Sequence, residues 1–188
     1  MDTMLLPTYP AWTWIDTPMG WMLVVTTRRG VVRTEFSAPD GSQLPREGDV
    51  LPAVTAALEV EPERDARGLS DLTSRMEAWF AGDRTDFGVD VDLSLSHGFM
   101  RRVCEAIQEI PFGETVSYGE VAAMVGSPLA ARAVGTACKN VPVALFLPVH
   151  RVVRADGTTG ESPDSPCHRR NLLMHERAVL GRGRSPWN

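Results

Sequence analysis

What this chain lacks sets its first bounds. No apolar run approaches the roughly 20 residues of a membrane-crossing helix. No charged segment followed by an apolar one opens the sequence, so a secretory leader is not expected. A cytoplasmic location with no membrane partner is the resulting expectation. Cysteine occurs three times, as Cys104, Cys138 and Cys167, an odd number without metal-ligand spacing. Neither a disulfide framework nor a zinc site is expected, and no other metal or cofactor either. Lysine occurs once, as Lys139, and the remaining basic residues are arginine, a bias read as genome composition.

What is present is ordinary for a folded chain. Of 188 residues, 43% are apolar and 23% charged, and the length suffices for two small domains with real cores. The net charge of −5 is unevenly spread. Residues 1–96 carry 8 arginines against 16 acids, whereas residues 97–188 carry 11 Arg and Lys against 8 acids. Any surface for a polyanion therefore belongs to the second half.

In the first half, Trp12 to Ile15, Gly20 to Thr27 and Val31 to Ser37 read as strands, joined through Thr17-Pro18-Met19-Gly20 and Arg29-Gly30. Pro52 suits the first turn of a helix running to about Val60, and residues 61–68 read as exposed and polar. Ser70 is expected to cap a helix with Leu72, Met76, Trp79 and Phe80 on one face, closed by Gly82. Phe87, Val89, Val91 and Leu93 alternate as in a half-buried strand. Trp12, Trp14, Trp21 and Trp79 are assigned to a core, and no catalytic set appears here.

In the second half, the apolar spacing predicts a helix from Gly98 to Ile110, ended by Pro111. Ser117 and Glu120 form a capping-box pattern opening a short helix that ends at Gly126. Ser127-Pro128 then offers a cap and first-turn proline for a helix through about Lys139. Two short helices around a glycine-containing turn make a helix-turn-helix layout, which serves either DNA or plain packing. Residues 142–147 read as a short apolar strand.

Several stretches carry a resemblance. Residues 112–122 (FGETVSYGEVA), 131–135 (ARAVG), 147–153 (LPVHRVV) and 172–176 (LLMHE) resemble the O6-alkylguanine-DNA alkyltransferase family, as does the turn Asp16-Thr17-Pro18-Met19-Gly20. The resemblance implies an α+β protein of two domains. Residues 1–94 would form a ribonuclease H-like structural domain, and residues 95–188 a mainly helical domain of winged helix-turn-helix type bearing the site. It implies that Tyr118 presses on a phosphate beside the lesion, so that the nucleotide rotates out, while Arg132 fills the vacated place. Extrusion costs a few kcal/mol of stacking and pairing, which a plugging side chain partly offsets. Ala131 and Gly135, with their small neighbours, would let the second helix lie close to a groove. His150 and Glu176, 26 residues apart, match the family's base and the group that orients it.

The chain also departs from the family. Where relatives carry Pro-Cys-His-Arg, Pro148 is followed by Val149-His150-Arg151. Valine has no lone pair with which to attack an alkyl carbon. Asn140 stands one place earlier than the family's Asn-Pro, since Val141 intervenes before Pro142. The loop around Ser162 holds Glu161, Pro163 and Asp164 where relatives have a tyrosine and paired glycines. Pro166-Cys167-His168-Arg169 repeats the family tetrapeptide at another place, making Cys167 an alternative acceptor.

Three readings follow. The first is an alkyltransferase-like protein that binds alkylated duplex DNA as a monomer, flips O6-alkylguanine without transferring the alkyl group, and flags it to repair proteins. The second is an enzyme reusing the His150 and Glu176 pocket on a small molecule. The third is alkyl transfer to Cys167.

Overall fold

The computed structural model describes residues 4–37, 47–160, 168–181 and 185–187. The fold is α+β: a small sheet with helices, then a mainly helical part. Two compact units divide the chain, Met1–Leu95 and Ser96–Asn188.

The first unit is built on three antiparallel strands, β1 (Ala11–Thr17), β2 (Gly20–Thr27) and β3 (Gly30–Phe36). A two-residue strand, β4 (Glu63–Arg64), adds in parallel to β1, giving the order β3-β2-β1-β4. Sequence reading took that stretch as polar and exposed, which Glu63 and Arg64 are; the pairing was not foreseen, because two residues carry no periodicity to read. Trp12, Leu23, Val25 and Val32 pack against Val50 and Val54 of helix α1 (Glu47–Leu58). Pro52 lies inside this helix and not in its first turn. With no N–H it forgoes one early bond, which a helix of this length tolerates. Helix α2 (Ser70–Ala81) starts after Leu69 as N-cap, and the Ser70 hydroxyl donates to the Arg67 carbonyl instead of capping. Gly82 closes it at φ 87, as its glycine predicted. Trp79 and Trp12 are buried and Trp14 is half-buried, but Trp21 is 43% exposed. It is the second residue of β2, next to the hairpin turn, ahead of the buried run from Met22 to Thr27.

The strand expected over residues 87–93 is absent. Only an isolated bridge pairs Val91 with Val31, and a 3-10 turn follows at Leu93–Leu95. Gly88 turns the chain at φ 59, and the Asp92 carboxylate accepts from Thr27, Arg29 and the Ser94 amide, tying this segment to the β2–β3 hairpin.

The second unit opens with helix α3 (Gly98–Gln108). A two-residue strand β5 (Val116–Ser117) leads into α4 (Tyr118–Met124). The capping box is formed in both directions: the Glu120 amide donates to Ser117 Oγ at 3.2 Å, and the Ser117 amide to Glu120 Oε2 at 2.8 Å. Helix α5 (Ala131–Lys139) begins later than Ser127-Pro128 suggested. Those residues form a turn in which the Ala130 amide donates to the Ser127 carbonyl, and Ala130 is the N-cap. Residues 142–147 are a turn and not a strand, with Leu145 at φ 79 and the Leu147 amide donating to the Val143 carbonyl. An apolar run of this length is ambiguous from periodicity alone. A 3-10 turn at Val149–Arg151 runs into strand β6 (Val152–Val153), which pairs in parallel with β5. Helix α6 (His168–Val179) closes the unit. Val103, Ile107, Val121, Val134, Val149 and Val152 share its core. None of the described helices is long and apolar enough to cross a membrane.

Candidate active site and nucleic-acid interface

The β5–β6 pairing does the local positioning. It joins the turn carrying Val149 and His150 to the residues just before Tyr118, so that turn and the start of α4 share one backbone frame. Val149 is buried in the core of the unit, its amide donating to the Leu147 carbonyl at 2.8 Å. Pro148 is buried beside it.

His150 is 1% exposed, and its Nε2 lies 2.6 Å from Oε1 of the fully buried Glu176. Arg151, 12% exposed, grips the same carboxylate: Nε lies 3.1 and 3.0 Å from its two oxygens and Nη2 2.9 Å from Oε1. Arg151 Nη1 donates to the Ile110 carbonyl, and the guanidinium sits 5.5 Å over the Phe112 ring. The Gly113 amide completes the shell, donating to Glu176 Oε2 at 2.8 Å.

These contacts fix charge and tautomer. Burial opposes ionisation of Glu176, but the hydrogen bonds and charges of His150 and Arg151 outweigh it and hold the carboxyl at about 2. Burial pushes the His150 imidazole below its ordinary value; Arg151 and Arg169 push the same way, and Glu176 acts against them. A neutral imidazole facing a carboxylate carries its proton on Nε2. The lone pair is then on Nδ1, which is buried and has no hydrogen-bond partner among the described residues. A neutral imidazole nitrogen in this position can accept a proton from a donor brought to it.

Arg151 and Gly113 are the members that sequence reasoning missed. The signal was present: His150 and Arg151 interrupt an otherwise apolar stretch, and a charge buried there needs a partner. Gly113 has φ 76, and a Cβ there would come within 2.3 Å of Leu180 Cδ1. The methyl end of Leu180 can yield; the left-handed backbone cannot without strain. Gly113→Ala is therefore expected to cost about 1–2 kcal/mol, read as a lower urea midpoint. An unchanged midpoint would mean that the turn relaxes freely.

On the outer side, Arg132 is exposed at the second position of α5, with Ala131 and Gly135 half-buried. Tyr118 is half-buried, its ring against Gly135. Asn140 is exposed and gives its amide to the Thr136 carbonyl of its own helix at 2.8 Å. Cys104 and Cys138 are buried free thiols whose pKa values burial raises, Cys138 to about 11, which makes them packing groups and not nucleophiles. Among the described residues no group of His, Cys, Asp and Glu could hold a metal. Ser162 and Cys167 lie outside the described residues.

Comparison with known proteins places this arrangement. The family described as 6-O-methylguanine DNA methyltransferase, DNA binding domain, matches residues 98–178. A methylated-DNA–protein-cysteine methyltransferase of Mycolicibacterium paratuberculosis is 45% identical over 122 residues, 62% of this chain and 73% of the relative. The Mus musculus protein of that name is 34% identical over 176 residues, 89% of this chain and 81% of its own. The chain belongs to the methylated-DNA–protein-cysteine methyltransferase family. A solved Mycobacterium tuberculosis family member in complex with DNA is similar throughout, with a TM-score of 0.71 and 30% identity, covering 90% of this chain and 94% of that one. The matched residues run from α3 into α6 and so include α4, α5 and the His150–Glu176 pair.

Proposed function

We propose that this chain recognises O6-alkylguanine in double-stranded DNA and does not pass the alkyl group to residue 149. The observation that carries this reading is a base assembly, His150 bonded to a Glu176 carboxylate that Arg151 grips, next to a valine. The relatives act, by name, on a protein cysteine, and one of them has been solved with DNA. Val149 stands where the family motif carries that cysteine, and its side chain has nothing with which to attack carbon. The DNA-facing parts support retention of binding: α4 is capped, and Arg132 projects from α5 without a side-chain partner among the described residues. Tyr118 lies one helix away, against Gly135. On this reading the second unit is the DNA-binding domain, winged helix-turn-helix in type, and the first is a ribonuclease H-like scaffold.

The test sets an O6-methylguanine duplex beside a plain one over a salt series. Tighter binding of the lesion is expected, weakening with salt for both duplexes. Arg132→Ala should abolish the preference, while affinity for plain duplex falls only slightly. Equal binding of both duplexes by the wild-type chain would overturn the reading.

The unmatched His150 Nδ1 supports a second reading. Water bound there could serve as acceptor for a small alkylated compound, with turnover because no protein atom is consumed. Such activity would be independent of DNA and lost in His150→Ala.

A further inference from the structure

Arg169, the second residue of α6, reaches to both helices of the helix-turn-helix. Its Nη1 donates to the Tyr118 hydroxyl oxygen at 3.3 Å and its Nη2 to the Cys138 carbonyl at 2.6 Å. Both acceptors are neutral. Among the described residues no carboxylate pairs with this guanidinium, whereas the Arg151 charge is matched by Glu176. Arginine cannot shed its proton to relieve the imbalance. The Tyr118 oxygen accepts from Arg169, so its own O–H has no acceptor among the described residues.

Two donors, one of them charged, therefore stand side by side with no carboxylate bonded to them among the described residues. Each side chain is half-buried, so the pair is held in place and still reachable. The hold comes from behind. A Cβ on Gly160 would lie 2.2 Å from the Tyr118 hydroxyl and 3.7 Å from Arg169 Nη1, and one on Gly135 would lie 3.9 Å from the Tyr118 ring. Arg132 precedes Gly135 by three residues, one helical turn, which puts the exposed guanidinium on the flank where Tyr118 packs.

We propose that Arg169 and the Tyr118 hydroxyl together bind one phosphate of the duplex backbone, making Arg169 a DNA-binding residue. The proposal rests on the DNA-binding reading above. A phosphodiester offers two anionic oxygens, one for the guanidinium N–H groups and one for the phenol, and phosphate contacts of this kind fix the register of a protein on DNA.

The experiment compares wild type, Arg169→Gln and Arg169→Lys on plain duplex across a salt series. Arg169→Gln is expected to bind about tenfold more weakly at low salt. Its slope of log affinity against log salt should shrink by about 0.9, the contribution of one phosphate. Arg169→Lys should keep the slope, which a purely structural role would not require. A scan with single neutral methylphosphonates adds position: wild type should lose affinity at one site where Arg169→Gln is indifferent. Gly160→Ala, which displaces the hydroxyl without removing the charge, should blunt that same single-site loss and provides a second route if Arg169→Gln folds poorly. Full slope in Arg169→Gln with normal wild-type binding would overturn the proposal alone. Failure of the wild-type chain to bind any duplex would overturn the DNA-binding reading. Competition by inorganic phosphate at matched ionic strength would assign the site to a free anion and overturn the backbone contact.

Discussion

Val149→Cys is expected to turn this chain into a stoichiometric alkyl acceptor. After incubation with an O6-methylguanine duplex, intact mass should rise by one methyl group per chain, whereas the wild-type chain should show no gain. The chemistry is a single displacement. The thiol proton passes to His150 Nδ1, directly or through a water. The thiolate attacks the alkyl carbon, the bond from that carbon to guanine O6 breaks, and the oxygen keeps the electron pair. The protein already supplies the difficult part. His150 is neutral, its proton is fixed on Nε2 by Glu176, and its Nδ1 is buried with no partner among the described residues. The swap nearly conserves volume, so the fold should lose only about 1 kcal/mol. Adding His150→Ala to the Val149→Cys chain should slow the reaction by about 10²–10⁴-fold, the usual worth of a positioned base. A probe that needs no DNA separates base from pocket. Iodoacetamide alkylation of the Val149→Cys chain should follow a thiol pKa below the ordinary value of about 8.5, and the added His150→Ala should restore it. An ordinary thiol pKa with His150 intact would show that Nδ1 does not face residue 149.

Much of this assembly was legible in the sequence, and the parts that were not share a cause. The capping box at Ser117 and Glu120 is chemistry between residues three apart, so four letters carry it, and both of its bonds are formed. The β1–β2–β3 meander announced itself through its turns. The His150–Glu176 pair spans 26 residues, and nothing local brings the two together; the family resemblance suggested it, and the 2.6 Å contact is its geometry. The strands of two residues, β4, β5 and β6, left no periodic trace, yet β5–β6 is what ties the Val149–His150 turn to α4. The apparent strands at 87–93 and 142–147 had the right composition. Each is instead bent by a positive φ, at Gly88 and at Leu145. Arg151 escaped notice because a basic residue is normally solvated, and only its burial shows that it neutralises Glu176.

That neutralisation makes Glu176 important for stability as well as for the site. Its carboxylate accepts from His150, Arg151 and the Gly113 amide and is wholly buried. Glu176→Ala strands three donor groups at once: the Arg151 guanidinium, the His150 ring and the Gly113 N–H. Breaking a buried pair by removing one partner costs about 3–5 kcal/mol, a large share of the roughly 5–15 kcal/mol that holds a domain folded. Urea unfolding of Glu176→Ala should show that loss, and a difference under about 1 kcal/mol would mean that solvent replaces the carboxylate. Acid provides an independent reading of the same contact. Glu176 titrates at about 2 against an ordinary 4.5, a difference worth about 3 kcal/mol of stability. Because the folded value is the lower one, this contribution is complete above pH 4.5 and fades as pH falls through 2. His150 is depressed as well, from 6.5, so its neutral form favours the fold above that pH, and stability begins to fall as acid drops below it. The wild-type chain should accordingly lose stability in two stages on acidification, the first set by His150 and the second by Glu176. His150→Ala should remove the first, and Glu176→Gln, which keeps the shape but not the charge, should remove the second. A single carboxylate-range transition unchanged in Glu176→Gln would show that other acids govern the acid limb and that the buried triad contributes little to it.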